Sequence, residues 1–323
     1  MHGGGLNRPL TSPDVGHRVV VRRIVGLQAG RPVQSDAIGV LTRVTETHLT
    51  VRTADGDLDI ALAAVTAAKR IPDQRARSAT ERLELVAAAG WPPVEKGLLG
   101  DWQLRASGGW TGRGNSALAV GDPGLPTAAA VDAVTAWYAE RGQRPMIAVP
   151  LPLGRRLQPE LDRRGWVTIT PTLVQTALLT DLPATRDPDV ALLTEPTEAW
   201  FAGVGGRKGG LPPAARTILT GVPDARYAAG LSPDGALVAT ARGTVTDGWL
   251  GITVVGVDPA HRRQGWARRL TLALVAWAAD AGAERAFLQV EETNTPARDL
   301  YERLGFRTAH KYVVRLPQRP CLP

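Results

Sequence analysis

Residues 252–281 constrain the fold of this chain more than any other stretch. Ile252, Thr253, Val254, Val255 and Val257 form a β-branched run that reads as a buried strand, and Asp258-Pro259 ends it. A basic loop, Ala260-His261-Arg262-Arg263-Gln264-Gly265, then opens a helix whose apolar positions Ala267, Leu270, Leu274, Trp277 and Ala281 recur at spacings of three and four. The first N–H groups of a helix lack intrahelical acceptors, and with the macrodipole they place about half a positive charge at its N-terminus. Gly265 lets a ligand approach the backbone, and Arg262, Arg263, Arg268 and Arg269 add full charges, so the segment is suited to an anion such as a pyrophosphate.

A second segment lies downstream: Leu288-x-Val290-x-x-x-Asn294-x-x-Ala297-x-x-Leu300-Tyr301-x-x-x-Gly305-Phe306 reads as a strand, an Asn-bearing turn and a helix carrying a tyrosine. The spacing Arg262-x-x-Gly265-x-Ala267 resembles the Arg/Gln-x-x-Gly-x-Gly/Ala motif of the GNAT superfamily of acyl-CoA N-acyltransferases, and the second segment resembles that family's next strand and helix. The resemblance implies a mixed α/β sheet, acetyl-CoA as cosubstrate and an amine-bearing acceptor. Carried onto this sequence, it assigns acetyl-CoA to Val255, Val257, Arg262, Arg263, Gln264, Gly265, Trp266, Ala267, Arg268, Asn294 and Tyr301. It also makes Tyr301 the acid for the departing thiolate, with Thr295 capping its helix and Pro296 in the first position. His261, beside Arg262, is expected to support the phosphate contact.

The general base is a departure from the family pattern. Many members carry a Glu on the strand before the phosphate loop, yet residues 249–257 contain no carboxylate. Asp247 at the strand's start and Glu291 or Glu292 at the end of the neighbouring strand are the nearest candidates, and a water chain is the other route. His310 and Tyr312 alternate on the last expected strand and are placed to line an acceptor pocket. The missing carboxylate also keeps open a non-catalytic reading, an acetyl-CoA sensor or interaction protein.

An internal repeat precedes this region. Trp137-x4-Gly142-x22-Gly165-Trp166 matches Trp277-x4-Gly282-x22-Gly305-Phe306, and Ala119-Val120-Gly121-Asp122-Pro123 echoes Val255-Gly256-Val257-Asp258-Pro259. Between Asp-Pro and Trp the first copy is four residues shorter and lacks the arginine-glycine loop, with Gly124-Leu125-Pro126-Thr127-Ala128 in its place. Residues 78–183 therefore read as a degenerate GNAT-like domain and residues 184–317 as the catalytic one. Within the latter, Gly203 to Gly210 reads as a mobile loop beside the substrate rather than a nucleotide loop, because the Walker order of Gly, four residues and Gly-Lys-Ser/Thr is absent. Its expected elements are short helices at 199–205 and 214–219, antiparallel strands at 225–231, 236–243 and 249–257, strand 285–291, helix 296–304 and strand 308–316.

Residues 15–72 alternate in short β runs at 18–24, 37–45, 48–53 and 58–61, with Ala54-Asp55-Gly56-Asp57 as a hairpin turn and 65–72 as the closing strand. In pattern they resemble a small all-β SH3-like barrel, followed by a polar linker at 73–80 and a helix from Glu81 to Ala89. The expected architecture is thus α/β with a mixed sheet, a tandem GNAT fold preceded by a small barrel.

Composition bounds the partners. A net charge of +7 invites a nucleic-acid reading, but lysine occurs only at 69, 96, 208 and 311, and the arginines are dispersed rather than striped with aromatics. No apolar run approaches a membrane span, and the start MHGGGLNRP has no signal-peptide core. The lone Cys321 forms no intrachain disulfide, which fits a cytoplasmic protein. His2, His17, His48, His261 and His310 show no metal-ligand spacing, so no metal is expected.

Overall fold

The computed structural model describes residues 10–28, 30–53, 56–71, 77–169, 171–206 and 210–318. Ala54 and Asp55 of the expected turn, linker residues 73–76, residues 207–209 of the glycine-rich loop and Cys321 lie outside them. The chain forms two compact units, Met1–Arg77 and Ser78–Pro323.

The first unit is a five-stranded antiparallel sheet: β1 (Arg18–Gln28), β2 (Arg31–Val44), β3 (His48–Thr53), β4 (Gly56–Ala61) and β5 (Val65–Arg70), in the order β4-β3-β2-β1-β5. Alternation puts Val19, Val21, Leu41, Leu49, Val51 and Ile60 into one core while their neighbours along the strands face outward. A Cβ on Gly39 would sit 2.1 Å from the Arg52 carbonyl oxygen, so only glycine allows β2 to lie this close to β3. The β1–β2 hairpin runs further than its sequence pattern foretells, to the pair Gln28↔Arg31. Residues 31–36 are mostly exposed and polar, so they carry no period-two signal; main-chain pairing and the Arg22–Asp36 bond at 2.8 Å organise them instead.

The second unit opens with α1 (Ala79–Ala89), which starts two residues before its expected position. Ser78 accepts from the Glu81 N–H at 3.2 Å, and the Glu81 carboxylate accepts from the Ser78 N–H at 2.7 Å, a reciprocal cap. There follow β6 (Glu95–Leu99), β7 (Trp102–Ala106), β8 (Ala117–Leu118), α2 (Thr127–Ala139), β9 (Ile147–Leu151), α3 (Gln158–Arg163), β10 (Trp166–Thr168) and β11 (Thr172–Leu178). The chain continues through β12 (Val190–Leu193), α4 (Glu198–Gly205), α5 (Pro213–Thr220), β13 (Ala225–Leu231), β14 (Leu237–Thr246) and β15 (Trp249–Val257). It closes with α6 (Trp266–Asp280), β16 (Arg285–Glu291), α7 (Thr295–Leu304) and β17 (Arg307–Pro317).

One mixed sheet takes all of these strands, in the order β12-β13-β14-β15-β16-β11-β17-β9-β8-β7-β6, with β10 beside β17. Among the described residues two neighbouring pairs are parallel, β15 with β16 and β8 with β9, one in each half of the sequence repeat. The halves also trade strands. β11 inserts between β16 and the start of β17, while the end of β17 lies between β9 and β10. Each half therefore completes the other's sheet, and the hydrogen bonds of the exchanged strands would be lost if the halves parted.

Alternation along β16 sorts the two faces of the sheet. Ala286, Leu288 and Val290 pack with Leu270 and Leu274 of α6 and with Tyr301 of α7, whereas Phe287 packs against Leu83 and Val86 of α1. Trp200, Phe201, Ile218 and Leu219 of α4 and α5 form a second core with Trp91, Trp110 and Tyr227.

Candidate functional site

The α6 N-terminus is assembled as its sequence suggests. Gly265 adopts φ +84° and supplies no side-chain cap, and a Cβ there would meet nothing within 4 Å. Its carbonyl takes the first intrahelical bond, from Arg269 N–H at 3.0 Å, so the N–H groups of Trp266, Ala267 and Arg268 lie ahead of the helical ladder. The preceding loop is braced by its own groups. Asp258 accepts from the Ala260 N–H at 2.9 Å and lies 3.4 Å from His261 Nδ1, and the Gln264 amide donates to the Ala260 carbonyl at 3.4 Å. Arg262, Arg263 and Arg268 are exposed, and among the described residues none forms an ion pair.

Arg269 does not join them. Its guanidinium donates to both Asp187 carboxylate oxygens at 2.6 Å and to Asp189 at 2.6 Å, and it stacks 4.1 Å over the Trp266 ring. That contact holds the Asp187 carboxyl well below the usual carboxylate range, with burial opposing it. Arg269 ties α6 to the segment before β12. The Trp266 side chain is likewise core, packed so tightly on Gly230 that a Cβ there would come within 2.8 Å of the ring; only its N–H belongs to the cradle.

Beside the cradle the sheet splays. The parallel ladder runs from Trp249↔Arg285 to Ile252↔Leu288 and ends there. Just past that point β15 carries a bulge, one extra residue between Thr253 and Gly256 against β14, with Val254 at φ +48°. A β-branched residue rarely adopts positive φ, and such backbone strain concentrates at functional sites. Val254 packs toward Trp91 and Trp110, while Val255 and Val257 pack toward α6, so the bulge turns consecutive side chains to opposite faces.

Tyr301 lies on the α6 side of the sheet, buried, with its ring edge-on to Phe306 at 5.9 Å. Among the described residues its hydroxyl has no hydrogen-bond partner. Burial pushes the phenol up to about 12. Asn294, rather than Thr295, caps α7. Its Oδ1 accepts from the Ala297 N–H at 3.3 Å, and Thr295 and Pro296 follow as the first two helical residues. Asn294's carbonyl oxygen is thus committed to the helix.

The base candidates separate. Asp247 sits in the tight turn before β15, at φ +46°, and the five strand residues Trp249 to Thr253, roughly 17 Å of strand, part it from Val254. The structure does not bring it to the splay. Glu291 stands exposed at the end of β16 with its carbonyl accepting from Asn294 N–H at 2.9 Å, and Glu292 lies 3.7 Å from Lys311.

On the opposite face the structure assembles a group that sequence reasoning only touched. His310 is buried and contacts Glu84 of α1 at 2.6 Å, and Tyr312 lines a cavity with Glu84, Arg105, Arg113, Ser116 and Gln289. Arg242 on β14 is fully buried, donating to the Leu219 and Gly90 carbonyls at 2.8 and 2.9 Å. The available signal was an arginine at a core-facing position of the apolar run 236–243. Among the described residues no group of His, Cys, Asp and Glu could hold a metal ion, and no helix is long and apolar enough to cross a membrane.

Comparison with known proteins bears on the family and the fold. The family described as "Probable histone acetyltransferase Rv0428c C-terminal" matches residues 77–314. The chain is 35% identical over 313 residues to the Probable histone acetyltransferase Rv0428c of Mycobacterium tuberculosis, spanning 92% of this chain and 94% of that one. It is 26% identical over 243 residues to the Uncharacterized N-acetyltransferase YobR of Bacillus subtilis, spanning 73% and 97% respectively. A GCN5-related N-acetyltransferase from Kribbella flavida shares the fold, with a TM-score of 0.59 at 20% identity over 76% of this chain and 98% of that chain. With the family match over most of the chain and a relative similar along nearly its full length, the chain belongs to this family of GNAT acetyltransferases.

Proposed function

We propose that the chain binds acetyl-CoA with its pyrophosphate on the α6 N-terminus and its pantetheine in the splay, and transfers the acetyl group to a primary amine. The observation that carries this reading is the uncapped helix start at Gly265, flanked by three exposed arginines, next to a parallel ladder that ends at Ile252. The N–H groups of residues 266–268 and the side chains of Arg262, Arg263 and Arg268 serve the phosphates. Pantetheine passes Val255 and Val257, with Asn294 and Tyr301 on its far side. The amine nitrogen attacks the thioester carbonyl, the C–S bond breaks, the Tyr301 phenol gives its proton to the thiolate, and the ammonium proton leaves to Glu291 or through water. The phenol is neutral at physiological pH, as a proton donor must be.

In this reading residues 184–317 are the catalytic domain and residues 78–183 a degenerate copy. Where the first copy's cradle would lie, Asp101 Oδ2 accepts from the Asp122 N–H at 2.9 Å, and a Cβ on Gly121 would come within 2.5 Å of Asp101. An acidic, filled turn repels a pyrophosphate. Residues 15–72 would form an SH3-like barrel that engages a partner. Replacing Gly265 by Glu tests the donor site: acetyl-CoA binding should vanish with the fold retained.

A further inference from the structure

The face of the sheet opposite α6 holds more positive charge than its surroundings balance. Arg105 is buried and donates to the Ser116 carbonyl at 2.8 Å and hydroxyl at 2.9 Å; Arg242 is fully buried, donating to two carbonyls, with the Tyr227 hydroxyl beside it; Arg113 lies half-buried, 5.0 Å over the Trp91 ring. Among the described residues none of the three forms an ion pair. The one carboxylate lining the cavity, Glu84, bonds His310 and is the single negative charge facing Arg105, one against three guanidiniums.

The same cluster has donors with nothing to donate to. Trp91 Nε1, Trp110 Nε1, Arg113 Nε and Arg242 Nη2 are enclosed and without hydrogen-bond partners, and the nearby Tyr227 hydroxyl is turned to the Leu219 carbonyl at 2.9 Å. The two indoles stack at 5.5 Å, and Arg242 also lies over Trp91. Native interiors pair almost every such donor, so four in one place call for an acceptor-rich group from outside the chain. The cluster adjoins the splay. Arg242 pairs with Thr253 across the bulge, and Val254 packs against the core to which Trp91 and Trp110 belong.

Resting on the acetyl-transfer reading, we infer that the acceptor is an amine that also carries an oxyanion, a carboxylate or phosphate, held by Arg105, Arg113 and Arg242 with the Trp91 and Trp110 N–H groups while the amine faces the thioester. Guanidinium and indole donors match an oxyanion's lone pairs, and binding it supplies the missing charge. The same field repels a polycationic protein tail.

The test is acetyl transfer by the full chain with acetyl-CoA and three matched series: ω-amino acids from glycine to 6-aminohexanoate, alkylamines of equal length, and aminoalkyl phosphates. At one or more lengths an anionic amine should exceed its alkylamine by at least about a hundredfold in kcat/KM, and Arg113→Met should collapse the ratio while acetyl-CoA affinity reports an intact fold. The better of the two anionic series identifies the group. Equal rates for neutral and anionic amines, or a preference for histone-tail peptides, would overturn the inference and leave acetyl transfer standing. Absence of transfer to every amine, histone-tail peptides included, contradicts the acetyl-transfer reading instead. In that event calorimetry decides the pocket by itself: N-acetyl-6-aminohexanoate should bind where its neutral amide does not, and Arg113→Met should abolish that difference, whereas equal binding overturns the pocket.

Discussion

His310 on β17 and Glu84 on α1 meet at 2.6 Å inside the protein, joining positions 226 residues apart. The contact fixes α1 across the face where the exchanged strands β11 and β17 run side by side. Removing one member of a buried pair leaves the other without its partner in a site where desolvation is not recovered. His310→Ala should therefore cost about 3 kcal/mol of stability, read as a lower urea midpoint with an unchanged slope. A midpoint within error of wild type would show that the pair contributes little.

The arginines near α6 divide into two roles. Arg269→Met should leave acetyl-CoA affinity within about twofold and lower stability, because its partners are Asp187 and Asp189. Arg268→Ala should weaken CoA binding by about fivefold to tenfold and leave stability unchanged. The Asp187 carboxyl is lowered in the folded state, so its contribution is present above the ordinary carboxylate range and is lost as pH falls through the folded value. The stability gap between wild type and Arg269→Met should accordingly narrow on acidification, and a gap that widens would reverse the assignment.

One acetyl-CoA should bind per chain. The turn after β8 is occupied by Asp101 and Asp122 and lacks any arginine, so calorimetric stoichiometry should be near one. Two equivalent sites would mean that the first copy retains a working cradle.

Gly265 separates shape from charge. Space around its Cβ is open, so Gly265→Ala meets only the penalty of φ +84°, about 1–2 kcal/mol, and should keep measurable CoA binding. Gly265→Glu places a carboxylate where phosphate would sit and should abolish binding in calorimetry. If the glutamate variant bound CoA as the alanine variant does, the cradle would lie elsewhere.

The sequence was most informative where the determinants are local. Strands 225–231, 249–257 and 285–291 have the expected ends, because turn residues bound them: Pro223-Asp224 and Pro233-Asp234-Gly235, Asp247-Gly248 and Asp258-Pro259, Gly282 and Asn294. Gly265 and the arginines before it follow from one turn of chain. Arg269 was misjudged because its partner Asp187 is 82 residues away, and charge alone cannot reveal a distant carboxylate. Asp247 was near in sequence to β15 but at the wrong end of it, since a strand carries its two ends far apart. The insertion of β11 between β16 and β17 left no trace in periodicity, because pairing partners are set by tertiary structure. Arg105, Arg113 and Arg242 read as ordinary arginines of a basic chain; the fold buries Arg105 and Arg242 and half-buries Arg113.

The most direct measurement is the turnover of Tyr301→Phe with acetyl-CoA and any accepted amine. The substitution keeps the ring against Phe306 and removes only the proton donor, so kcat should fall by roughly 10²–10⁴-fold with acetyl-CoA affinity unchanged. With the phenol at about 12, wild-type activity should show no loss from Tyr301 ionisation between pH 7 and 9. Full turnover in Tyr301→Phe would contradict the account and assign the proton to water or to the substrate ammonium.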